Sequence, residues 1–133
     1  MELAGGCLCG RTRYVLTSRP YDLGNCHCID CRRASGAPFV TWGSVPSGNL
    51  EIRLGEPKKV PHAQRIRTFA SCCGTPLFFE EQANATEVDV AIATLDLPEP
   101  FPPQINIWTE DRLPWVQLDP GLPAFLKSSR DQP

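Results

Sequence analysis

The chain has 133 residues, a net charge of −2 and 41% apolar residues, which fits one domain with a modest core. Its basic residues are scattered and offer no electrostatic footprint for nucleic acid. No apolar run has membrane-spanning length, and the N-terminal stretch lacks the basic and apolar regions of a signal peptide. We therefore expect a cytoplasmic protein that binds neither nucleic acid nor membranes.

Cysteine is the residue type that most restricts the function. Seven is an odd number, so complete intramolecular disulfide pairing is impossible, and a reducing cytosol disfavours pairing in any case. Metal binding accounts for so many thiols more naturally. Fourteen prolines and ten glycines further predict a loop-rich chain with short strands rather than long helices.

The first predicted elements are a metal-binding turn and a strand. The run 7–10, Cys-Leu-Cys-Gly, follows two glycines at 5–6 that allow a sharp turn around an ion, and it is typical of a zinc knuckle. Residues 11–17 are rich in β-forming side chains and partly alternate in polarity, which predicts a strand.

The densest cysteine cluster comes next, where Cys26, Cys28 and Cys31 place three thiols within six residues. Thiolate sulfur is a preferred ligand of zinc, and this spacing can hold three sulfurs about 2.3 Å from one ion. A structural zinc site closes with four protein ligands, whereas a reactive site keeps three and leaves a position for water or substrate. The cluster is therefore an open reactive site, or a second stapling site closed by His27 or another side chain.

The neighbouring residues favour a metal over a disulfide. Asp30 is suited to cap a short helical turn that starts at Cys31 and ends near Gly36. A helix start of this kind, with Arg32 and Arg33 close by, lowers thiol pKa values and favours thiolate ligands.

The rest of the chain predicts short strands separated by turns and loops. Residues 50–54 alternate apolar and charged side chains, as in a half-exposed strand. The predicted strands are 39–45, 50–54, 58–60, 65–69, 77–79, 88–93 and 105–108. The proline-rich segment 97–103 and residues 110–125 are predicted loops. We therefore expect one all-β, zinc-stapled domain over residues 1–126 and a polar, frayed tail over 127–133.

The two remaining cysteine pairs are suited to share one ion. Cys7 and Cys9 supply two ligands, and a second pair is needed to close a tetrahedron. Cys72 and Cys73 are that pair. A link across roughly 60 residues strongly constrains the unfolded chain, so this is the expected structural site.

Four motifs in this order carry a family resemblance. They are Gly5-Gly6-Cys7-Leu8-Cys9-Gly10, Cys26-His27-Cys28-Ile29-Asp30-Cys31-Arg32-Arg33-Ala34-Ser35-Gly36, Cys73-Gly74-Thr75-Pro76-Leu77, and Ile107-Trp108 with Arg112, Pro114 and Trp115. The chain resembles the glutathione-dependent formaldehyde-activating enzymes, also called the centromere-protein-V-like family. The resemblance implies a β-rich, tent-like domain with long loops and two zinc ions, one structural and one beside a glutathione cleft.

The resemblance also implies an activity. Family enzymes join glutathione and formaldehyde to S-hydroxymethylglutathione, a carbon–sulfur lyase reaction. The catalytic ligands then correspond to Cys26, Cys28 and Cys31, whose open site can take the glutathione sulfur as thiolate. A non-catalytic zinc module that binds glutathione or a protein partner is the second hypothesis, since thiols also add to formaldehyde without an enzyme.

One position departs from the family pattern. Ala70 stands where the family has the first cysteine of the third cluster, and Cys72 directly precedes the matching Cys73. The fourth structural ligand is then Cys72, a water, or none if zinc is lost from this site. Cys72 could also form a vicinal disulfide, or point away as a small buried hydrophobe.

Glutathione carries two carboxylates, so its cleft should present guanidinium forks and backbone donors. The candidate substrate-binding residues are Arg32, Arg33, Arg65 and Trp42. The alternative role of each arginine is a solvated surface charge. Core packing is the favoured role of Trp42, Trp108 and Trp115.

Overall fold

The computed structural model describes residues 1–129. Strands dominate this part of the chain, with one short α-helix and three single 3-10 turns. The elements are β1 (Leu3–Gly6), β2 (Arg13–Leu16), β3 (Tyr21–Cys26), α1 (Ile29–Ser35), β4 (Val40–Pro46), β5 (Leu50–Leu54), β6 (Lys58–His62), β7 (Arg65–Phe69), β8 (Pro76–Glu81), β9 (Asn84–Ala91) and β10 (Ile105–Ile107). The 3-10 turns are Ser47–Asn49, Ile92–Thr94 and Thr109–Asp111. The predicted all-β class is confirmed.

The strands form two open sheets. The small sheet has the order β1-β2-β5, and the large sheet has the order β10-β3-β4-β9-β8-β7-β6. Neighbouring strands are antiparallel in every pair except β10 and β3, which run parallel. The central strands of the large sheet therefore come from the middle of the chain, and its last strand is added beside β3.

The core lies where side chains of the two sheets meet. Tyr14 of β2 is fully buried, and its ring packs edge-on against Phe78 of β8 with 5.0 Å between the ring centroids. The Tyr14 hydroxyl is satisfied inside the core, because it lies 2.7 Å from Thr94 Oγ1. Buried Val45 of β4 and Val90 of β9 extend the same cluster. The small sheet is thus fixed to the large sheet by one aromatic residue with its polar end paired.

The predicted sharp turn at 5–6 is wrong, because these glycines end β1 instead. A Cβ on Gly5 would lie 2.5 Å from the Tyr14 ring and 2.7 Å from the Thr94 carbonyl oxygen. The glycine is therefore needed for close approach to a buried ring and not for a turn. β3 was not predicted, because its Asp, Gly and Asn residues are poor strand formers. Its Asp22 has a φ of 52° and lies at a register shift.

Most other predicted strands appear with shifted ends. The strand predicted over 11–17 covers only Arg13–Leu16, and the one predicted over 88–93 runs instead from Asn84 to Ala91 before a 3-10 turn. The half-exposed pattern predicted for 50–54 is wrong, because four of the five residues of β5, an edge strand of the small sheet, are exposed. Residues 97–103 and most of 110–125 are loops, as predicted.

The predicted polar tail falls partly inside the described residues. The backbone carbonyl of Lys127 accepts a hydrogen bond of 2.9 Å from the Trp108 amide. Residues 130–133 of the tail lie outside the described residues. None of the helices within residues 1–129 is long and apolar enough to cross a membrane.

Replacing Gly5 by alanine tests the contact between the sheets. Gly5→Ala should lower the free energy of unfolding by about 1–3 kcal/mol, because the added methyl group overlaps a buried ring and a backbone carbonyl. Gly48→Ala is the matched control, since a Cβ there meets no atom within 4 Å. Urea denaturation of both variants measures the difference. Equal unfolding midpoints for the two variants would contradict this account.

Candidate functional site

All seven cysteines lie in two clusters. Each cluster brings its sulfur atoms within 4.8 Å of one another, and both arrangements could hold a metal ion. The first cluster contains Cys7, Cys9, Cys72 and Cys73, and the second contains Cys26, Cys28 and Cys31. All seven thiols are free. The structure thus brings together the two predicted groups of ligands.

The first cluster has the spacing of a four-sulfur site. Cys7 follows β1, and its Sγ lies 3.7 Å from Cys9 Sγ and 3.6 Å from Cys72 Sγ. Cys9 Sγ and Cys72 Sγ are 3.3 Å apart. A regular tetrahedron with metal–sulfur bonds of about 2.3 Å has edges of about 3.8 Å. The sulfurs are therefore close to the positions that one thiolate-binding ion requires.

Hydrogen bonds hold the first cluster in an arrangement suited to thiolates. The Thr12 amide donates to Cys7 Sγ at 3.3 Å. The Thr75 hydroxyl lies 3.3 Å from Cys73 Sγ, and this contact, together with amide donors, lowers the pKa of Cys73 to about 5. Donors that stabilise negative sulfur also orient the ligands of a bound metal.

Cys72 supplies a sulfur to the first cluster, which answers the question raised by Ala70. Ala70 is fully buried, and its carbonyl accepts hydrogen bonds from the amides of Cys73 and Gly74 in a tight turn. Gly74 has a φ of 82°, which closes this turn. The Cys72 side chain points toward Cys7 and Cys9, so the missing sulfur at position 70 is matched by one two residues later.

The second cluster is built at the junction of β3 and α1. Cys26 is the last residue of β3, and Cys31 lies within α1. The predicted cap is wrong: Cys28, not Asp30, caps the helix, because Cys28 Sγ accepts from the Cys31 amide at 3.2 Å. Asp30 lies inside the first turn, and Gly36 ends the helix with a φ of 70°, as predicted.

The pKa values of these thiols diverge because the sulfurs share hydrogen bonds. Bonds from the Cys26 and Cys28 thiols lower the pKa of Cys31 to about 2, although burial acts in the opposite direction. The pKa of Cys26 rises, because its proton bonds to Cys28 and Cys31 and its side chain is buried. Negative charge is therefore concentrated at Cys31.

Arg67 of β7 is the cation that contacts this charge. Its Nη2 lies 3.8 Å from Cys31 Sγ, and its guanidinium packs 4.8 Å from the centroid of the Phe79 ring. Arg32 and Arg33 were expected in this role, but they lie in the last turn of α1. No sequence signal distinguishes Arg67 from the other arginines, because β7 comes beside the cysteines only through tertiary folding.

His27 does not join the second cluster. Its ring is buried against Phe39, and its Nε2 donates to Asn106 Oδ1 at 2.9 Å. Within residues 1–129, no fourth His, Cys, Asp or Glu side chain completes the group of Cys26, Cys28 and Cys31. The arrangement is therefore a three-ligand site, and His27 supports the backbone around it.

A cleft of about 860 Å³ opens onto the three sulfurs. Of the four candidate substrate-binding residues, Trp42 and Arg65 line it, whereas Arg32 and Arg33 are not among its lining residues. Trp108 also lines it, with a left-handed backbone at a φ of 56°. Trp115 was expected to pack in the core, but it is 68% exposed.

The cleft is strongly acidic. Seven carboxylate side chains and two guanidinium groups line it. The acids are Asp22, Asp30, Glu80, Glu81, Glu87, Asp89 and Asp111, and the cations are Arg65 and Arg67. Arg65 pairs with Glu81 at 3.7 Å, and Lys59 pairs with Glu80 at 3.5 Å. Carboxylates still outnumber the cations, so the cleft attracts positive charge.

Comparisons of sequence relate this chain to a known family. The family model described as "Glutathione-dependent formaldehyde-activating enzyme" matches residues 2–111. An uncharacterized lyase of Schizosaccharomyces pombe is 31% identical over 80 residues, which cover 59% of this chain and 57% of that protein. The matched segment is thus little more than half the length of that relative.

The comparison of structures concerns the fold. The crystal structure of a Rhodobacter sphaeroides protein matches with a TM-score of 0.58 and 20% identity, covering 92% of this chain and 99% of that chain. At this identity the likeness shows a shared fold. The family match, by contrast, spans both cysteine clusters. The chain belongs to the family of glutathione-dependent formaldehyde-activating enzymes.

Proposed function

We propose that this protein is a zinc-dependent carbon–sulfur lyase that joins a small thiol, glutathione or a relative of it, to an aldehyde. The observation that carries the proposal is a three-sulfur cluster that faces a large cleft and has no fourth ligand among the described residues. The family match and the relative named as a lyase support the reaction class. Seven free thiols also fit a reducing compartment, so the cytosol is part of the proposal.

The donor sets fit zinc in two different ways. Four sulfurs within 4.8 Å of one another suit a closed structural site at Cys7, Cys9, Cys72 and Cys73. Three sulfurs beside a cleft suit a site that remains open. When bound there, zinc would supply a coordination position that keeps a substrate thiol deprotonated near neutral pH.

The residues of the chain position the two reactants. The three cysteines concentrate negative charge, and Arg67 offsets part of it from 3.8 Å away. Trp42 packs against Phe79 with 5.9 Å between ring centroids, which gives the cleft a rigid apolar wall beside the sulfurs. A thiol held against this wall has its sulfur oriented toward an incoming aldehyde, and such positioning lowers the entropy loss of a two-reactant step.

Removing one ligand from each cluster tests whether the first cluster is structural and the second binds the thiol. Cys28→Ser should lower the metal content from near two zinc ions per chain to near one and abolish thiol binding, while the domain stays folded. Folding should survive because serine also caps helices well and can replace the Cys28 cap. Cys72→Ser should remove the other ion and lower the free energy of unfolding by more than about 4 kcal/mol, as expected for loss of a structural metal.

Elemental analysis, calorimetry with cysteamine and denaturation measure these effects on the same samples. The wild-type protein is the reference, and the two serine variants control for each other. If Cys28→Ser unfolds the domain as Cys72→Ser does, both clusters staple the fold and the protein is a binding module. One zinc ion in all three proteins would also contradict the proposal.

The charge of the cleft predicts a preference among thiols. Cysteamine should bind the zinc-loaded protein about tenfold more tightly than thioglycolate at low salt, because an ammonium group meets the surrounding carboxylates favourably and a carboxylate does not. Mercaptoethanol, which is neutral, should fall between them. Calorimetric titration measures the three dissociation constants.

The salt dependence provides the control for this preference. The difference between cysteamine and thioglycolate should shrink as ionic strength rises, because salt screens charges in an open cleft. Tighter binding of thioglycolate than of cysteamine at low salt would show that the cleft does not select positive charge.

A further inference from the structure

A second, smaller cavity lies beside the three-sulfur cluster. Its volume is about 180 Å³, and it shares Cys31, Trp42 and Arg67 with the large cleft. The two spaces therefore meet at Cys31, one of the three cysteines of the cluster. Formaldehyde has no carbon substituent and cannot use such a space.

The walls of this cavity are mainly apolar. They come from α1, β4, β7, β8, the turn before β8 and the end of β9. The lining residues beyond the shared three are Ala34, Ser35, Val40, Thr68, Phe69, Gly74, Pro76, Phe78 and Ala91. An apolar cavity of about 150 Å³ holds a benzene molecule, so this one has room for a group of about six carbon atoms.

We propose that the small cavity binds the apolar substituent of the aldehyde, so that the carbonyl substrate is an aromatic or short-chain aliphatic aldehyde rather than formaldehyde. The inference rests on the function proposed above and names the substrate class of the same site. The thiol occupies the acidic cleft, the substituent occupies the small cavity, and the carbonyl carbon lies where they meet, beside Cys31, Trp42 and Arg67.

The reaction balances without a further reagent. The thiolate sulfur forms a bond to the carbonyl carbon, and the carbonyl π bond breaks. Its electron pair moves to the oxygen, which takes up a proton equivalent to the one that the thiol released. The product is a hemithioacetal of the larger aldehyde, and nothing is oxidised or reduced.

Competition between two aldehydes tests the substrate class. Zinc-loaded wild-type protein with cysteamine should show a kcat/KM for benzaldehyde at least tenfold above that for formaldehyde, after subtraction of the uncatalysed rates. Ala34→Leu should lower this ratio at least tenfold, because the larger side chain fills the cavity from α1. Ala124→Leu is the matched control, since Ala124 is exposed and lines neither space, and it should keep the wild-type ratio.

Two outcomes overturn the inference while leaving the proposed function intact. One is faster reaction of formaldehyde than of benzaldehyde in the wild-type protein. The other is an Ala34→Leu ratio equal to that of the wild type, with both proteins folded by circular dichroism. Either result would mean that the cavity does not receive the aldehyde substituent.

Benzyl alcohol, an unreactive analogue of benzaldehyde, tests the cavity as a binding site independently of the proposed lyase activity. If neither aldehyde reacts, the proposed function fails, and saturation-transfer NMR with benzyl alcohol then decides the role of the cavity. Binding to the wild type and to Ala124→Leu but not to Ala34→Leu supports a ligand site there. No binding to the wild-type protein overturns it.

Discussion

The gathering of free thiols from distant parts of the chain is the constraint on which the rest of the structure depends. Cys7 and Cys9 precede β2, whereas Cys72 and Cys73 lie between β7 and β8, yet the sulfurs are within 4.8 Å of one another. The small sheet and the large sheet are therefore joined at this cluster as well as at the Tyr14–Phe78 contact. In a chain of 133 residues with many loops, a metal held there would replace much of the core that a larger domain has.

The proposed function assigns the structural metal to the first cluster and the chemistry to the second. In the proposed function the first cluster, with four sulfurs, holds the structural metal, and the group at Cys26, Cys28 and Cys31 keeps three ligands and opens onto the cleft. It lies where β3 meets α1, next to a large acidic cleft and a small apolar cavity. Two spaces of different character that meet at Cys31 match a reaction that joins two different molecules, one charged and one apolar.

Local patterns predicted the cysteine clusters and several strands, because their signals are contained in short stretches. β7 matches its predicted bounds, and Gly36 ends α1 as its freedom at positive φ suggests. Tertiary effects explain the failures. β3 contains poor strand formers and exists because β4 and β10 pair with it. The acidic cleft was not predicted because its carboxylates come from three strands, the helix and the segment after β10.

The central claim is that the three-cysteine cluster binds a metal with one position left for a thiol. Cobalt substitution followed by absorption spectroscopy tests it most directly, because sulfur-to-cobalt charge-transfer bands report the number of thiolates on the ion. Addition of cysteamine should strengthen these bands in the wild type, but not in Cys28→Ser. An unchanged wild-type spectrum at saturating cysteamine would contradict the claim, since it would show that neither metal accepts an external sulfur.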